Sequence, residues 1–514
     1  MGAATAVSRV CGMLRVLAIA AVLGTTYLGN TFQSSNSVSN VLFELIAAGA
    51  LSAVLVPTFV GLLDRGEPGE VERLAGGLLG LSVLVLGAVS VVGVVGAPWI
   101  ADLLTAGVKD PHVAAQQQEL STFLLRFFVP QVVLYALGAI AIAVLQAKRQ
   151  FAVGAAAPIG NTVVMILALL VFRLLYGPGE PTLDLTFSEQ LALALGGTLG
   201  VAAFVGIPAV AVRRGGMRWR LHLPRRDPAV SRLLRLSGWA VLLHVGVGLL
   251  LGAAMIVGNG VEGGVVAYQV AFVFFLAPYA VLAQPIHTAI LPELTLQSGG
   301  HSSDAFAGSL RWALDRIVLL VVPVSALLVA LAEPVMRVFA FGKAATTGSV
   351  DLLAAALASL SVGLVVYSAF LLFARAYYAL GDSRTPALVA LVASGLGIVT
   401  MVAVAVPSSG SARVAALGFG HSAAYAVGAL VLGVGLTRRL GHRIVPRTSL
   451  YVVLVAVVVG AAAWLAIRSI DPTGRVGSAL AAATVGAVAL GLMTLCLRPV
   501  HRVARTPAAP TGPT

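Results

Sequence analysis

Residues 8–57 read SRVCGMLRVLAIAAVLGTTYLGNTFQSSNSVSNVLFELIAAGALSAVLVP, and this stretch decides how the whole chain is read. It holds two long apolar runs, yet Arg9, Arg15, Asn30, Asn36, Asn40 and Glu44 sit in or between them. An ionisable residue in a membrane-length apolar run is expensive, and it survives by facing a cavity, a partner or the interface. The stretch therefore predicts two membrane helices that meet something polar inside a bundle.

The composition agrees. The 514 residues are 59% hydrophobic and 10% charged, with a mean hydropathy of +0.98. Soluble domains carry roughly 25% charged residues, so the chain reads as an all-α polytopic membrane protein. The formal net charge of +13 falls mainly between apolar runs. Topology accounts for it there, and nucleic acid is not implied as a partner. Cys11 and Cys496 lie in apolar segments near opposite chain ends, with no disulfide framework and no metal-ligand spacing. Arg far outnumbers Lys and Ala, Val and Gly are abundant, which hints at a GC-rich bacterial genome. The N-terminus lacks the basic segment and Ala-x-Ala site of a signal peptide.

A spanning helix needs about 20 apolar residues. Runs of that kind predict helices near 5–27, 38–63, 76–104, 119–147, 153–174, 187–212, 233–257, 264–291, 315–341, 350–380, 385–407, 413–437, 448–468 and 477–497, fourteen in all. The loops alternate in charge. Those at 64–73, 148–149, 213–235, 311–316, 381–385 and 438–447, with the tail, hold most of the Lys and Arg. The positive-inside rule puts these in the cytoplasm, so both termini are expected there. The expected organisation is an N-lobe at 1–212, a basic cytoplasmic linker at 213–235 and a C-lobe at 236–437. Two extra helices follow at 438–498, then a disordered tail at 499–514. The linker would lie on anionic membrane lipids. A weak internal echo supports the lobes: Gln146–Phe151 with Pro158, and Arg375–Gly381 with Pro386, are each a polar hairpin followed by a helix with an early proline.

No phosphate-cradling Gly-Lys-Ser/Thr loop, His-Glu-x-x-His or plausible Ser-His-Asp grouping occurs. An enzyme is therefore not expected, and no cofactor or metal is implied. The helix-one arginines carry the functional signal. Ser8, Cys11 and Arg15 share one helical face, and Arg9 lies about 120° from Arg15, so the two can flank one cavity. Guanidinium groups bind phosphates bidentately and stay charged, which suits a pyrophosphate. Arg9 can instead snorkel to lipid phosphates. The candidate substrate contacts are Arg9, Arg15, Ser8, Glu44, Asn40 and Arg126. Each has a structural reading beside it: Glu44 as half of an intramembrane ion pair, Asn40 with Asn30 and Asn36 as caps and inter-helix hydrogen bonds. Arg126 and Arg337 are further embedded charges, and His244, His287 and His421 read as packing residues. Pro278, Pro285 and Pro292 predict a kinked eighth helix.

A family resemblance follows from these residues. Ser8-Arg9-x-x-Gly12-x-x-Arg15, Gly24, Asn30-Thr-Phe32, Asn40 and Gly49-Ala-Leu-Ser52-x-x-x-x-Pro57 resemble the opening of the MviN/MurJ family. Arg126-x-x-x-Pro130, Leu145-Gln-Ala-x-x-x-Phe151, Pro158-x-x-Asn161, Pro278 through Pro292, and Arg375-Ala-Tyr-Tyr-Ala-Leu-Gly-Asp-Ser-Arg-Thr-Pro386 extend it along the chain. The chain also departs from the family. Asn30 stands where an Asp is usual, Phe43 and Glu44 where helix two carries an Arg, and Ala271-Phe272-Val273 where helix eight carries Ala-Asp-Arg; Ala48 replaces a frequent Glu. The resemblance implies a flippase that moves lipid II, an undecaprenyl-pyrophosphate-linked peptidoglycan precursor, across the bacterial cytoplasmic membrane by alternating access. Its implied partners are that lipid and cell-wall synthesis or division proteins. Export of another lipid-linked oligosaccharide or of a drug-like cation stays open, as does a non-transporting scaffold.

Overall fold

The computed structural model describes the chain apart from residue 1, 44–48, 218–220, 224–227, 300–302 and 506–514; at 2–9, 43, 49–54, 155, 228–237, 240 and 499–505 it describes the backbone alone. Among the described residues the chain is helical with no strand. The first group of helices is α1 (Gly2–Leu23), α2 (Tyr27–Phe43), α3 (Gly49–Asp64), α4 (Pro68–Val95), α5 (Ala97–Thr105), α6 (Pro111–Phe128), α7 (Gln131–Ala147), α8 (Phe151–Tyr176) and α9 (Phe187–Arg214). The second group begins with α10 (Pro228–Asn259), α11 (Gly264–Pro278), a π turn (Tyr279–Ala283), α12 (Gln284–Ser298), α13 (Ser303–Ala330) and α14 (Ala332–Phe339). It continues through α15 (Thr347–Val362), α16 (Leu364–Ala379), α17 (Arg384–Ala405) and α18 (Gly410–Leu440). Then come α19 (Ser449–Ile470) and α20 (Gly474–Arg505).

Helices are what a lipid-embedded backbone requires, because every N–H and C=O must be satisfied within the segment. Among the described residues eleven helical stretches are long and apolar enough to cross a membrane, or twelve when α15 and α16, bent by 44°, count as one. The first two expected spans match α1 and the pair α2–α3. Neither enters that count, since α1 has described side chains only from Val10 and residues 44–48 interrupt the second.

Several single expected helices are broken in two. Gly96 separates α4 from α5, Val129 and Pro130 separate α6 from α7, and Gly363 marks the bend between α15 and α16. The expected kink in the eighth span is present: a π turn follows Pro278 and precedes Pro285. The largest difference concerns α2. It starts at Tyr27, well before the expected 38, so Asn30 and Asn36 lie in the body of a helix. Ser, Asn and Gln favour turns over helix interiors when considered locally; here tertiary burial overrides that preference. At the far end α20 continues to Arg505, past the expected boundary at 498, while 506–514 lies outside the described residues. The hairpin between α16 and α17 is held by Asp382, which accepts from the Thr385 backbone N–H (3.0 Å) and from its Oγ1 (2.8 Å). Burial works against the charged form of Asp382, but these bonds and Arg439 outweigh it and hold its carboxyl below the usual range.

Within the first group α8 packs on α1 and α9, and α7 on α3, α4 and α9; within the second, α18 packs on α15, α16 and α17. The α15–α18 contact depends on Gly418, where an added Cβ would stand 2.1 Å from Ser359 Oγ and 2.5 Å from Leu360 N. α19 and α20 lean on α13 and α14.

The two groups are laced together through α2. Asn30 is fully buried. Its Nδ2 donates to Val261 O (2.8 Å), and its Oδ1 accepts from the backbone N–H groups of Val265 (3.0 Å) and Val266 (3.3 Å) at the start of α11. Asn259 Nδ2 donates to Ser34 Oγ (3.2 Å) and Leu104 O (2.9 Å), Gln269 Nε2 to Ser37 Oγ (2.9 Å), and Arg413 Nη2 to Gly107 O (3.1 Å). Gly263 makes the approach possible: its φ is +75°, and a Cβ there would lie 2.4 Å from Thr25 Cβ. These contacts close what is called here the Asn30 end of the bundle. At the opposite, basic end α3 lies against α10.

Two outcomes are expected. Gly418→Val overfills the α15–α18 contact by about 1–3 kcal/mol, so the detergent-solubilised protein should melt a few degrees lower, read by thermal unfolding. Asn30→Ala removes three bonds of about 1 kcal/mol each, which should favour opening of the Asn30 end on the order of a hundredfold. In a chain with Cys11 and Cys496 replaced by Ala, a cysteine placed at buried Val265 should then react at least tenfold faster with a membrane-impermeant maleimide. An unchanged rate would show that Asn30 does not hold this end shut.

Candidate functional site between the two helix groups

α1 is wedged between the groups. Val16 and Ala20 join the core of the second group, against residues of α11. Ile19 and Leu23 join a core of the first group with Leu120, Phe128 and Phe172. On the side of α8, Thr162 Oγ1 donates to Cys11 O (3.1 Å). A Cβ at Gly12 would meet nothing within 4 Å, so this face of α1 opens on free space. Arg15 lies one turn further along it.

Arg15 is half-buried and within electrostatic range of Tyr135 on α7. Among the described residues it has no hydrogen bond and no carboxylate partner. One turn before Tyr135, a buried polar chain crosses the first group: Ser39 Oγ donates to Gln131 Oε1 (3.2 Å), Gln131 Nε2 to Thr198 Oγ1 (3.2 Å) and Thr198 Oγ1 to Phe127 O (3.2 Å). Gln131 can reach both helices because the α6–α7 break at Pro130 frees the start of α7. A half-buried guanidinium near this layer, with no carboxylate beside it among the described residues, is an incomplete ion pair. Burial makes its completion by an external anion favourable.

The opposite wall is α11. From Gly264 to Phe275 its residues are buried except for Gln269, Phe272 and Val273, which continue at Leu276. Spacing of i, i+3, i+4 and i+7 puts these on one face, and Gln269 turns that face toward Ser37 of α2. The wall is thus neutral where the family usually has Asp and Arg. Behind it, Tyr268 Oη and His421 Nε2 are 2.9 Å apart, and His421 Nδ1 lies 3.1 Å from Leu417 O. His421 is therefore a hydrogen-bonded packing residue, as its isolation in the sequence suggests.

The other candidates scatter. Asn40 is half-buried and its Nδ2 donates to Asn36 O (3.4 Å), a bond within its own helix. Asn30 is an inter-helix cap. Arg126 is exposed on the stripe of α6 that carries Glu119 two turns earlier, and no described contact joins it to Arg15. The side chains of Ser8 and Arg9 and the whole of Glu44 lie outside the described residues. Arg337 pairs with Glu333 (2.5 Å). Sequence reasoning passed over Tyr135, Gln131, Thr198, Asn259 and Gln269. A Gln following Pro130 was the one local hint; the rest are single polar residues in apolar helices, whose partners are more than 60 residues away.

A family model described as lipid II flippase MurJ matches residues 19–485. The probable lipid II flippase MurJ of Rhizobium tropici is 27% identical over 391 residues, 75% of this chain and 71% of that protein. The lipid II flippase MurJ of Burkholderia cenocepacia is 26% identical over 452 residues, 85% of this chain and 82% of its own. Among solved structures, a lipid II flippase MurJ in an inward closed conformation aligns with a TM-score of 0.73 at 18% identity, over 98% of this chain and 99% of that one. An inward-facing multidrug resistance transporter of the MATE family, in the MOP superfamily, aligns with a TM-score of 0.67 at 12% identity, over 84% and 94%. At such identities the two structures speak for the fold alone. A family match running from α1 into α20, over a fold shared along nearly the whole chain, makes this protein a member of the MurJ family of lipid II flippases.

Proposed function

We propose that the chain carries lipid II from the inner to the outer leaflet of the bacterial cytoplasmic membrane by alternating access. In this reading α1–α9 and α10–α18 are the two lobes, the basic end faces the cytoplasm and both termini lie there. The Asn30 end then faces outward and is shut, so the headgroup would enter from the basic end. The observation that carries the reading is Arg15: a half-buried guanidinium between the lobes, with no carboxylate beside it among the described residues. A pyrophosphate supplies what is missing, in the bidentate form that arginine binds best. Arg9, six residues earlier in α1, is the companion contact in this proposal. The neutral amides of Gln269 and Asn40 suit the uncharged hydroxyl and amide groups of a glycan headgroup.

The isoprenoid tail needs an apolar path beside the bundle. A groove of about 250 Å³ between α19 and α20, lined by Val459, Ala463, Ala466, Val485, Val488 and Leu492, offers one. The energy for net transport comes from a gradient, the membrane potential or consumption of the product, because the sequence holds no nucleotide-binding loop. The cation-export alternative turns on the depth and partner of Glu44, which lies outside the described residues.

Arg15→Ala should abolish growth rescue of a flippase-depleted strain and lower lipid II in the outer leaflet by about tenfold or more, since a charge-assisted contact is worth about 1.5–3 kcal/mol. Membrane abundance should be unchanged. Full rescue with normal outer-leaflet lipid II would overturn the role of Arg15.

A further inference from the structure

α16 is enclosed along most of its length. From Gly363 to Tyr377 none of its residues is exposed, since α12, α13 and α18 surround it. A helix enclosed in this way shows partial exposure only where it borders interior space. Its half-exposed residues up to Tyr377 are Val365, Val366, Tyr367, Leu371 and Arg375, and the last three recur at i, i+4 and i+8 and form one stripe. Tyr367 fixes the direction of that stripe. Its ring meets Phe275 of α11 (5.3 Å), Tyr279 of the π turn (4.9 Å) and Tyr425 of α18 (4.7 Å). Through Tyr367 the stripe is joined to α11, the π turn and α18; it runs from there toward the basic end, where Arg375 stands one turn from the end of α16.

Arg375 is within electrostatic range of His287 on α12, which is fully buried. Among the described residues Arg375 has no hydrogen bond and no carboxylate partner. Its neighbours in the same hairpin are paired differently: Asp382 is committed to Thr385 and Arg439, and Arg384 lies over the Trp239 ring at 5.7 Å. Arg375 is therefore a permanent, half-buried cation near the basic end of an enclosed helix, with no anion beside it among the described residues.

We infer that Arg375 is the second lobe's anion contact, a capture site at the basic mouth for the diphosphate of a polyprenyl diphosphate before it reaches Arg15. The assignment rests on the transport reading above. It also accounts for a cavity whose α11 face has no charge: the cation of this lobe sits on α16 instead. Capture near the mouth and a second contact deeper on α1 would divide binding from translocation, so the two arginines should have separable effects.

The test uses the full-length chain in nanodiscs of phosphatidylethanolamine and phosphatidylglycerol, with undecaprenyl diphosphate as ligand and inorganic pyrophosphate as competitor. Arg375→Gln should weaken undecaprenyl diphosphate binding about tenfold, and Arg375→Lys should restore most of it, with the same thermal unfolding midpoint in all three proteins. Competition by inorganic pyrophosphate that is lost in Arg375→Gln would locate recognition in the diphosphate. Affinity lost in Arg375→Gln without such competition would assign Arg375 to the membrane-bound form of the headgroup. Wild-type affinity in Arg375→Gln, while Arg15→Ala still loses transport, would overturn this inference and leave the transport reading standing. A wild-type chain that does not bind undecaprenyl diphosphate at all would overturn both.

Discussion

The side-chain amide of Asn30 is the constraint on which the rest of the arrangement depends. It does two jobs at once, donating to Val261 O and accepting from the first free N–H groups of α11. A helix N-terminus presents unpaired N–H groups and a partial positive charge. A carboxylate, usual at this position in the family, would accept there more strongly but could not donate to the carbonyl. The amide trades charge for a second bond. It also keeps the contact free of any titrating group, so its strength does not depend on a proton.

Around that bond, a helix rich in Ser, Asn and Gln becomes affordable in the interior. Ser34, Ser37 and Ser39 each reach a polar side chain on another helix, two of them across the interface between the groups. Each bond is worth about 1 kcal/mol net, while an unmet buried partner costs about 1–3 kcal/mol. A closed end held by a few such bonds is stable enough to persist and weak enough to open. An apolar seam of the same area would be harder to part, because its separation would expose greasy surface to water.

The same logic places the charges. α1 packs on both groups through opposite faces, with Val16 and Ala20 on one side and Ile19 and Leu23 on the other. Arg15 is left on the open face near Gly12, where no carboxylate among the described residues answers it. The α11 wall across from it carries Gln269, Phe272 and Val273, so attraction for an anion comes from few guanidinium groups rather than from a ring of them. Few, well-separated cations give an anion separate stopping points rather than one deep trap.

Much of this was legible in the chain itself. Apolar runs of about 20 residues identify a membrane bundle, Pro278 and Pro285 predict the break in the eighth span, and the residues around Arg15 and Arg375–Pro386 carry the family resemblance. Those are local properties, set by hydrophobic length, by a missing N–H or by a motif. What only the tertiary structure decided is where the polar groups find their partners. Residues 27–37 look like a loop because Ser and Asn disfavour helix interiors in isolation; they are helical because Asn30 meets a chain segment more than 230 residues away. In the sequence Arg15 reads as an embedded cation and Arg375 as the start of a polar hairpin. Their meaning comes from which carboxylates pack near them, and that is a property of the fold, since no local pattern records the absence of a partner.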